Sequence, residues 1–281
     1  MDVVLERVGH DYPGGVRALD AVELTIKSGE AVALVGANGS GKTTLARHLN
    51  GLLRPTRGRV VLDGKDAAGQ RVAELARMVG LSFQDPDRQI FNGDVRGEVE
   101  FGLRQLGVPE QDRTEAVNAA LDAVGMSDVI HMHPHDLGEA RRKLLTIASV
   151  LVMETPIVVL DEPTVGLDAT GLARVERIVS GLQGDGRTVV AISHDMRFVA
   201  DSFERIVLLD AGRVILDGAP DSVFAQAQWA VLRAAGLEPP RAAVMGARMG
   251  LGSTPTERSL LAAARVDGVA PATGSGREDH A

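Results

Sequence analysis

The sequence predicts an α/β protein, and three observations carry that prediction. Short, almost continuous apolar runs, AVALV at residues 31–35, PIVVL at 156–160 and TVVAI at 188–192, have the composition of strands buried on both faces of a parallel sheet. Helical patterns alternate with these runs, as α/β folds require. From about residue 89 to 154 the texture turns helical, with Val117, Leu121 and Val124 at i, i+4 and i+7. That stretch predicts a helical lobe inserted between strands.

In chain order, AVALV runs directly into Gly36-Ala37-Asn38-Gly39-Ser40-Gly41-Lys42-Thr43, which fits G-x-x-x-x-G-K-[ST], and the helical run TLARHLNGLL follows. Glycines let the main chain turn so that successive N–H groups face phosphate oxygens, and the following helix adds its positive end. Gly36, Asn38, Gly39, Ser40, Gly41, Lys42, Thr43 and Thr44 are the expected nucleotide-binding set. Lys42 is expected to reach the β- and γ-phosphates of ATP, and the Thr43 hydroxyl to coordinate Mg²⁺. Later, the strand before Pro163 ends in Asp161 and Glu162. A carboxylate ending a buried strand beside a phosphate loop can hold Mg²⁺, which is the task expected of Asp161; Glu162 is placed to polarise an attacking water as general base.

RIVLLDAGRVILDG at residues 205–218 reads as two strands around Asp210-Ala211-Gly212, a hairpin signal. From roughly residue 239 the chain is rich in Gly, Pro, Ala and Ser, with one short apolar patch at 259–266, and is expected to be mobile or partner-dependent.

Composition removes several function classes. With 281 residues, 44% of them apolar, the chain can bury a large core. It has no cysteine, which excludes disulfides, thiolate metal sites and cysteine nucleophiles and is consistent with the cytosol. MDVVLERVGH lacks a basic region followed by an apolar run, so no secretory signal is expected. No uncharged apolar run reaches the ~18 residues of a membrane span. A net charge of −8 argues against broad binding to nucleic acid or anionic lipid. Any membrane attachment is therefore expected through a protein partner.

With both motifs placed, residues 1–225 resemble the ATP-binding subunits of ABC transporters, most of all the ATPases of energy-coupling factor (ECF) importers of vitamins and transition metals. GANGSGKTTLARHLNGLLRPTRGRV, VGLSFQDPDRQIFNGDVRGEVEFGL and VVLDEPTVGLD carry the resemblance. It implies a P-loop NTPase (RecA-like) ABC ATPase core, about 1–88 and 155–225, with an antiparallel β edge and a helical subdomain at about 89–154. Residues 226–281 would form a C-terminal extension. It also implies a head-to-tail dimer that sandwiches two ATP molecules at the cytoplasmic face of the membrane.

Further positions acquire roles through the resemblance. Tyr12 matches the aromatic that stacks on adenine, though it also suits a plain turn before Pro13-Gly14; Gln84 matches the glutamine that senses Mg²⁺ and the transmembrane partner. His194 matches the switch histidine at the γ-phosphate, and Asp168 the loop aspartate that crosses the dimer, a role that can coexist with helix N-capping. Ile90 and Phe91 belong either to the lobe core or to the surface facing coupling helices.

One stretch departs from the family. Where the family has Leu-Ser-Gly-Gly-Gln, which binds the γ-phosphate held by the other subunit, this chain has Leu137-Gly138-Glu139-Ala140-Arg141. Gly138 lacks the hydroxyl, Ala140 adds a methyl, and Glu139 brings a negative charge toward a triphosphate. The helix N-terminus remains favourable to an anion, and Arg141 or Arg142 could offset Glu139. Two readings follow: a weakened signature, or a working variant that relies on main-chain N–H groups and an arginine. The weakened reading favours a heterodimer with a second ABC ATPase over a homodimer. The resemblance further implies a transmembrane coupling protein and a substrate-binding membrane protein as partners, with no nucleic acid. An ordinary importer with a soluble binding protein is the alternative, and a non-transport ABC ATPase is disfavoured by the short interval between Lys42 and Asp161 and the single phosphate loop.

Overall fold

The computed structural model describes residues 1–266. The chain begins with an antiparallel pair, β1 (Val3–Asp11) and β2 (Arg17–Ile26), and then enters β3 (Ala31–Val35), the phosphate loop and α1 (Lys42–Leu49). β4 (Arg57–Leu62), the two-residue β5 (Lys65–Asp66), the single turn α2 (Val72–Leu75) and β6 (Val79–Ser82) complete the first part. The lobe follows as α3 (Val95–Leu106), α4 (Glu110–Ala123) and α5 (Glu139–Leu151). The chain then returns through β7 (Ile157–Asp161), α6 (Ala169–Gly184), β8 (Thr188–Ile192), α7 (Met196–Ser202), β9 (Arg205–Asp210) and β10 (Arg213–Gly218).

Two sheets result. β2-β1-β4-β5 is antiparallel, and β10-β9-β3-β8-β7-β6 is parallel except for β10, which pairs antiparallel with β9 across Ala211-Gly212. The apolar strands are continuous because both faces are covered. In β3, Ala31, Ala33 and Val35 join the core shared with the lobe, whereas Val32 and Leu34 join the core under α1 and the antiparallel sheet. β7 divides likewise, Val158 and Leu160 to one side and Ile157 and Val159 to the other. The i, i+4, i+7 set Val117, Leu121 and Val124 is fully buried in the first of these cores.

The sheet order places the C-terminal ends of β3, β7 and β8 side by side, where ligands of open α/β sheets bind. The turn from β3 into α1 depends on two close approaches. A methyl on Gly36 (φ 148°) would overlap the Leu209 carbonyl of β9, and one on Gly41 (φ 107°) would press on the Ala18 carbonyl of β2. Gly39 also has positive φ, but its Cα faces open space.

The C-terminal region forms helices over the described residues. Beyond the short α8 (Pro220–Val223), α9 (Trp229–Ala234), α10 (Arg241–Arg248) and α11 (Glu257–Val266) form, and Leu232, Leu237 and Ala243 enter the lobe-side core. The Gly- and Pro-rich composition serves packing here: Pro240 caps α10, and Gly246 leaves room for the buried Thr254, whose hydroxyl donates to the Ala242 carbonyl at 3.0 Å. Residues 267–281, the end of the segment expected to be mobile, lie outside the described residues.

Two consequences are measurable. Gly36→Ala should cost more than about 3 kcal/mol in urea denaturation because steric overlap adds to backbone strain, whereas Gly39→Ala should cost only about 1–2 kcal/mol from strain alone. The buried imidazole of His48 (1% exposed) is held below the ordinary histidine range of 6.5 by its burial. Its neutral form therefore favours the fold fully above that pH, and stability falls as the medium is acidified below it, because the unfolded chain takes up the proton first. Thermal melts at pH 5.5 and 7.5 should show a lower midpoint at the acid pH and a smaller gap in His48→Gln; an equal gap in both proteins would contradict this assignment.

Candidate functional site

The turn after β3 and the ends of β7 and β8 enclose a cleft of about 480 Å³. The sequence-predicted residues Tyr12, Asn38, Gly39, Gly41, Lys42, Thr43, Thr44, Gln84, Asp161 and Glu162 line it. Gly36 and Ser40 lie behind the loop, both buried. Lys42 starts α1 and is itself buried; its ammonium donates to the Gly36 and Ala37 carbonyls at 2.7 and 2.9 Å. Burial holds Lys42 below the usual lysine range, with Glu162 and Asp161 opposing that shift.

Asp161 ends β7, 2% exposed, and its Oδ1 has no hydrogen-bond partner. Burial pushes its carboxyl up, while the Thr43 hydroxyl beside it pulls the other way. An orphaned buried carboxylate oxygen with Thr43 and Gln84 in the same cleft is a donor set that fits Mg²⁺, which takes only one or two carboxylates and completes its shell with other oxygens, phosphates and water. Among the described residues no group of three or more His, Cys, Asp or Glu side chains is preassembled to hold an ion by itself.

Glu162 is the next residue, 5% exposed and in the left-handed region at φ 50°. A non-glycine residue there is strained by about 1–2 kcal/mol, and such strain concentrates at functional sites. Its N–H donates to the Ile192 carbonyl at 2.9 Å, which aims the side chain across the end of β8. Its Oε2 lies 2.9 Å from Nδ1 of His194, whose side chain is 65% exposed. His194 thus joins the site through Glu162 and not through the cleft wall.

Tyr12 sits at the other end of the cleft. Its hydroxyl lies 3.1 Å from the Thr44 hydroxyl, and its ring meets His10 edge-on at 4.6 Å; His10 meets His48 edge-on in turn. Asp168 lies away from this cleft at the N-cap of α6, where Oδ1 accepts from the Gly171 N–H at 2.7 Å.

Leu137-Gly138-Glu139-Ala140-Arg141 also stands apart from the cleft. Leu137 is buried, Gly138 is the N-cap of α5, and no side chain caps the first turn, which leaves its N–H groups free. Glu139 lies against Gly166 and has no ion pair among the described residues. The arginines are engaged elsewhere: Arg141 with Asp128 at 3.1 Å, and Arg142 with the Leu137 carbonyl at 2.9 Å and Asp87 at 3.5 Å. Neither offsets Glu139 in this arrangement. A side chain at Gly138 would meet open space, so packing does not exclude serine there.

Two features escaped the sequence reading. Lys143, 2% exposed, donates three hydrogen bonds to the main chain around the cleft, and burial brings it down to about 8. Its place on the apolar stripe of α5, beside Leu144 and Ile147, is the signal that could have revealed it. The second feature is the C-terminal region, which reaches the phosphate loop: Gly236 packs against Ala37. Nothing in the Gly- and Pro-rich sequence announces that contact.

Comparison with known proteins agrees with this geometry. The ABC transporter family description matches residues 19–165. The energy-coupling factor transporter ATP-binding protein EcfA of Methanothermobacter thermautotrophicus is 39% identical over 243 residues, which cover 86% of this chain and 78% of that protein. A Methanosarcina acetivorans protein named as an ABC transporter ATP-binding protein is 42% identical over 238 residues, 85% of this chain, and the chain spans only 38% of that protein's length. Among solved structures, CbiO1 of Clostridium perfringens, part of the ABC transporter complex CbiONQ, superposes with a TM-score of 0.73 at 34% identity, covering 88% of this chain and 98% of its own. A dimeric ATP-binding cassette in a post-hydrolysis state with ADP and Pi superposes with a TM-score of 0.72 at 27% identity, over 77% and 98% of the two chains. A phosphate loop, a strand ending in two carboxylates and an inserted helical lobe, together with these matches, show that the chain belongs to the ABC transporter family as one of its ATP-hydrolysing cassettes.

Proposed function

We propose that this chain energises uptake of a small solute, a vitamin or a transition-metal ion, as an ATPase subunit of an ECF-type importer at the cytoplasmic face of the cell membrane. The observation that carries the catalytic part of the reading is the buried, strained Glu162 beside Lys42 and Asp161, with its carboxylate bonded to His194. In this reading the N–H groups from the phosphate loop into α1 receive the ATP phosphates, and Tyr12 stacks on the adenine. Lys42 exchanges the Gly36 and Ala37 carbonyls for the β- and γ-phosphates, which removes an internal clamp and adds a charge contact. Mg²⁺, held by Thr43, Gln84 and Asp161, would neutralise charge on the phosphates when bound. Glu162 orients the water and accepts its proton, and His194 fixes the Glu162 carboxylate while its exposed edge reaches toward the γ-phosphate.

The composite sites of the dimer follow from the same reading. The N-terminus of α5, with Leu137, Gly138, Glu139, Ala140 and Arg141, serves the nucleotide held by the partner, and Asp168 crosses the interface. Uncapped N–H groups support an anion there, whereas Glu139 without a paired cation opposes one. A heterodimer with a second ABC ATPase that carries the complete signature keeps one site fully active; a homodimer would place Glu139 in both.

The membrane partner is supported by an apolar groove of about 600 Å³ between the lobe and the core, lined among others by Leu52, Val72, Phe91 and Phe101. Ile90 is buried as lobe core, but Phe91 is 62% exposed and edge-on to Phe101 at 4.7 Å, an apolar surface suited to a coupling helix. No helix of the described residues is long and apolar enough to cross a membrane. The transmembrane scaffold and the substrate-binding membrane protein are separate chains in this reading, and the likeness to EcfA and to a part of CbiONQ supports it.

Glu162→Gln should lower ATP turnover of the assembled complex at least about 100-fold, the scale of lost general-base catalysis. Substantial phosphate release by that variant in a colorimetric assay would remove the active site from this cleft. The triple change Gly138→Ser, Glu139→Gly, Ala140→Gly should raise turnover several-fold, since a hydrogen bond to a charged group is worth about 1.5–3 kcal/mol. An unchanged rate would favour a working variant signature over a weakened one.

A further inference from the structure

Lys143 is among the largest fully buried side chains of the protein, and it is a cation. Its Nζ donates at 3.1 Å to the Phe83 carbonyl, at 2.8 Å to the Gln84 carbonyl and at 3.0 Å to the Asp161 carbonyl. An ammonium has three N–H donors, and all three are used on main-chain acceptors. A lysine present only to fill the core would find partners wherever the packing offered them. These three all lie on two segments, the end of β6 and the end of β7, and two of them belong to the residues assigned to the metal, Gln84 and Asp161.

A second connection runs alongside. Gln89 Oε1 accepts from the Phe83 N–H at 3.0 Å, and its Nε2 donates to the Thr146 carbonyl of α5 at 3.1 Å. The stretch after β6 is thereby fixed to α5 through both a cation and an amide, whereas the Gln84 side chain is exposed in the cleft and free to turn toward a ligand. At Asp161 the main-chain carbonyl is tied to Lys143 while Oδ1 is left without a partner. In both residues the backbone is anchored and the side-chain oxygen is kept available.

We propose that Lys143 is a positioning residue for ATP hydrolysis: its ammonium holds the main chain of Gln84 and Asp161 against α5, so that their side-chain oxygens stand at the separation a Mg²⁺·ATP site in this cleft requires. The inference rests on the Mg²⁺·ATP reading of the cleft given above. Because α5 also carries Gly138–Arg141 at its start, the same three bonds join the elements of both composite sites.

Lys143→Met keeps the apolar stem and removes every donor. In the full chain assembled with its partner subunits, binding of a non-hydrolysable ATP analogue is titrated against Mg²⁺, and affinity is also measured in EDTA. The Mg²⁺ concentration for half-maximal binding should rise about 10–100-fold, the range seen when groups that orient metal ligands are removed, while the affinity in EDTA stays within about twofold. Lys143→Arg, which keeps a cationic donor, should recover part of the loss. A merely structural lysine would lower the melting temperature and weaken both affinities together. That result, or an unchanged Mg²⁺ requirement, overturns the proposal. Should the Met variant not fold, Lys143→Gln is judged by the same two outcomes. Asp161→Asn separates the layers of the argument: if it raises the Mg²⁺ requirement and Lys143→Met does not, only the role of Lys143 fails. If neither changes it, the metal reading of the cleft fails.

Discussion

The site stands on one buried ammonium. Withdrawing a charge from water costs several kcal/mol, and Lys143 pulled down to about 8 reflects that cost. Three charge-assisted hydrogen bonds, each worth about 1.5–3 kcal/mol, offset it, with the Asp161 and Glu162 charges nearby adding attraction. A shift of β6, β7 or α5 would stretch one of these bonds and leave the buried ammonium with an unused donor. The lobe is therefore not an appendage. Its helix α5 is bonded to the ends of two core strands, and those ends carry the residues proposed to hold Mg²⁺ and the attacking water.

The altered stretch at the start of α5 separates two contributions usually found together. What the fold supplies is intact: a 13-residue helix, uncapped N–H groups and a free approach at Gly138. What the side chains supply is missing or opposed, since there is no hydroxyl and Glu139 has no paired cation among the described residues. Arg141 and Arg142, the obvious candidates for compensation from their position in the sequence, are committed to Asp128, Asp87 and the Leu137 carbonyl. Arg141, at i+2, does not face Glu139, and Arg142, at i+3, could do so but is drawn to contacts outside that pair.

Legibility varied with how local the cause was. The phosphate loop, the β3, β7 and β8 strands and the lobe were all readable, because burial on two faces forces apolar continuity and a tight anion-binding turn forces glycine. The hairpin at 205–218 was readable for the same kind of reason, a two-residue turn with positive φ at Ala211 and Gly212. Lys143 was not, since one lysine among basic neighbours looks solvated until its partners, some 18 to 60 residues away in sequence, are placed. The packing of the C-terminal region was not legible either. Leu232 and Leu237, just before the Gly- and Pro-rich segment, and Ala243 within it find a core already built by other elements.

By itself the sequence determined the fold class, the glycine-rich loop proposed to receive phosphates, the order of the two carboxylates at the end of β7 and the departure at Gly138–Arg141, since each depends on residue type at short spacing. Only the tertiary structure decided that Glu162 is strained and bonded to His194, that Asp161 keeps one oxygen unpartnered, and that Gly236 lies beside Ala37 of the phosphate loop. The reason is physical. Hydrogen-bond satisfaction and burial are properties of groups brought together from distant parts of the chain, and they have no value until the packing that brings them together exists.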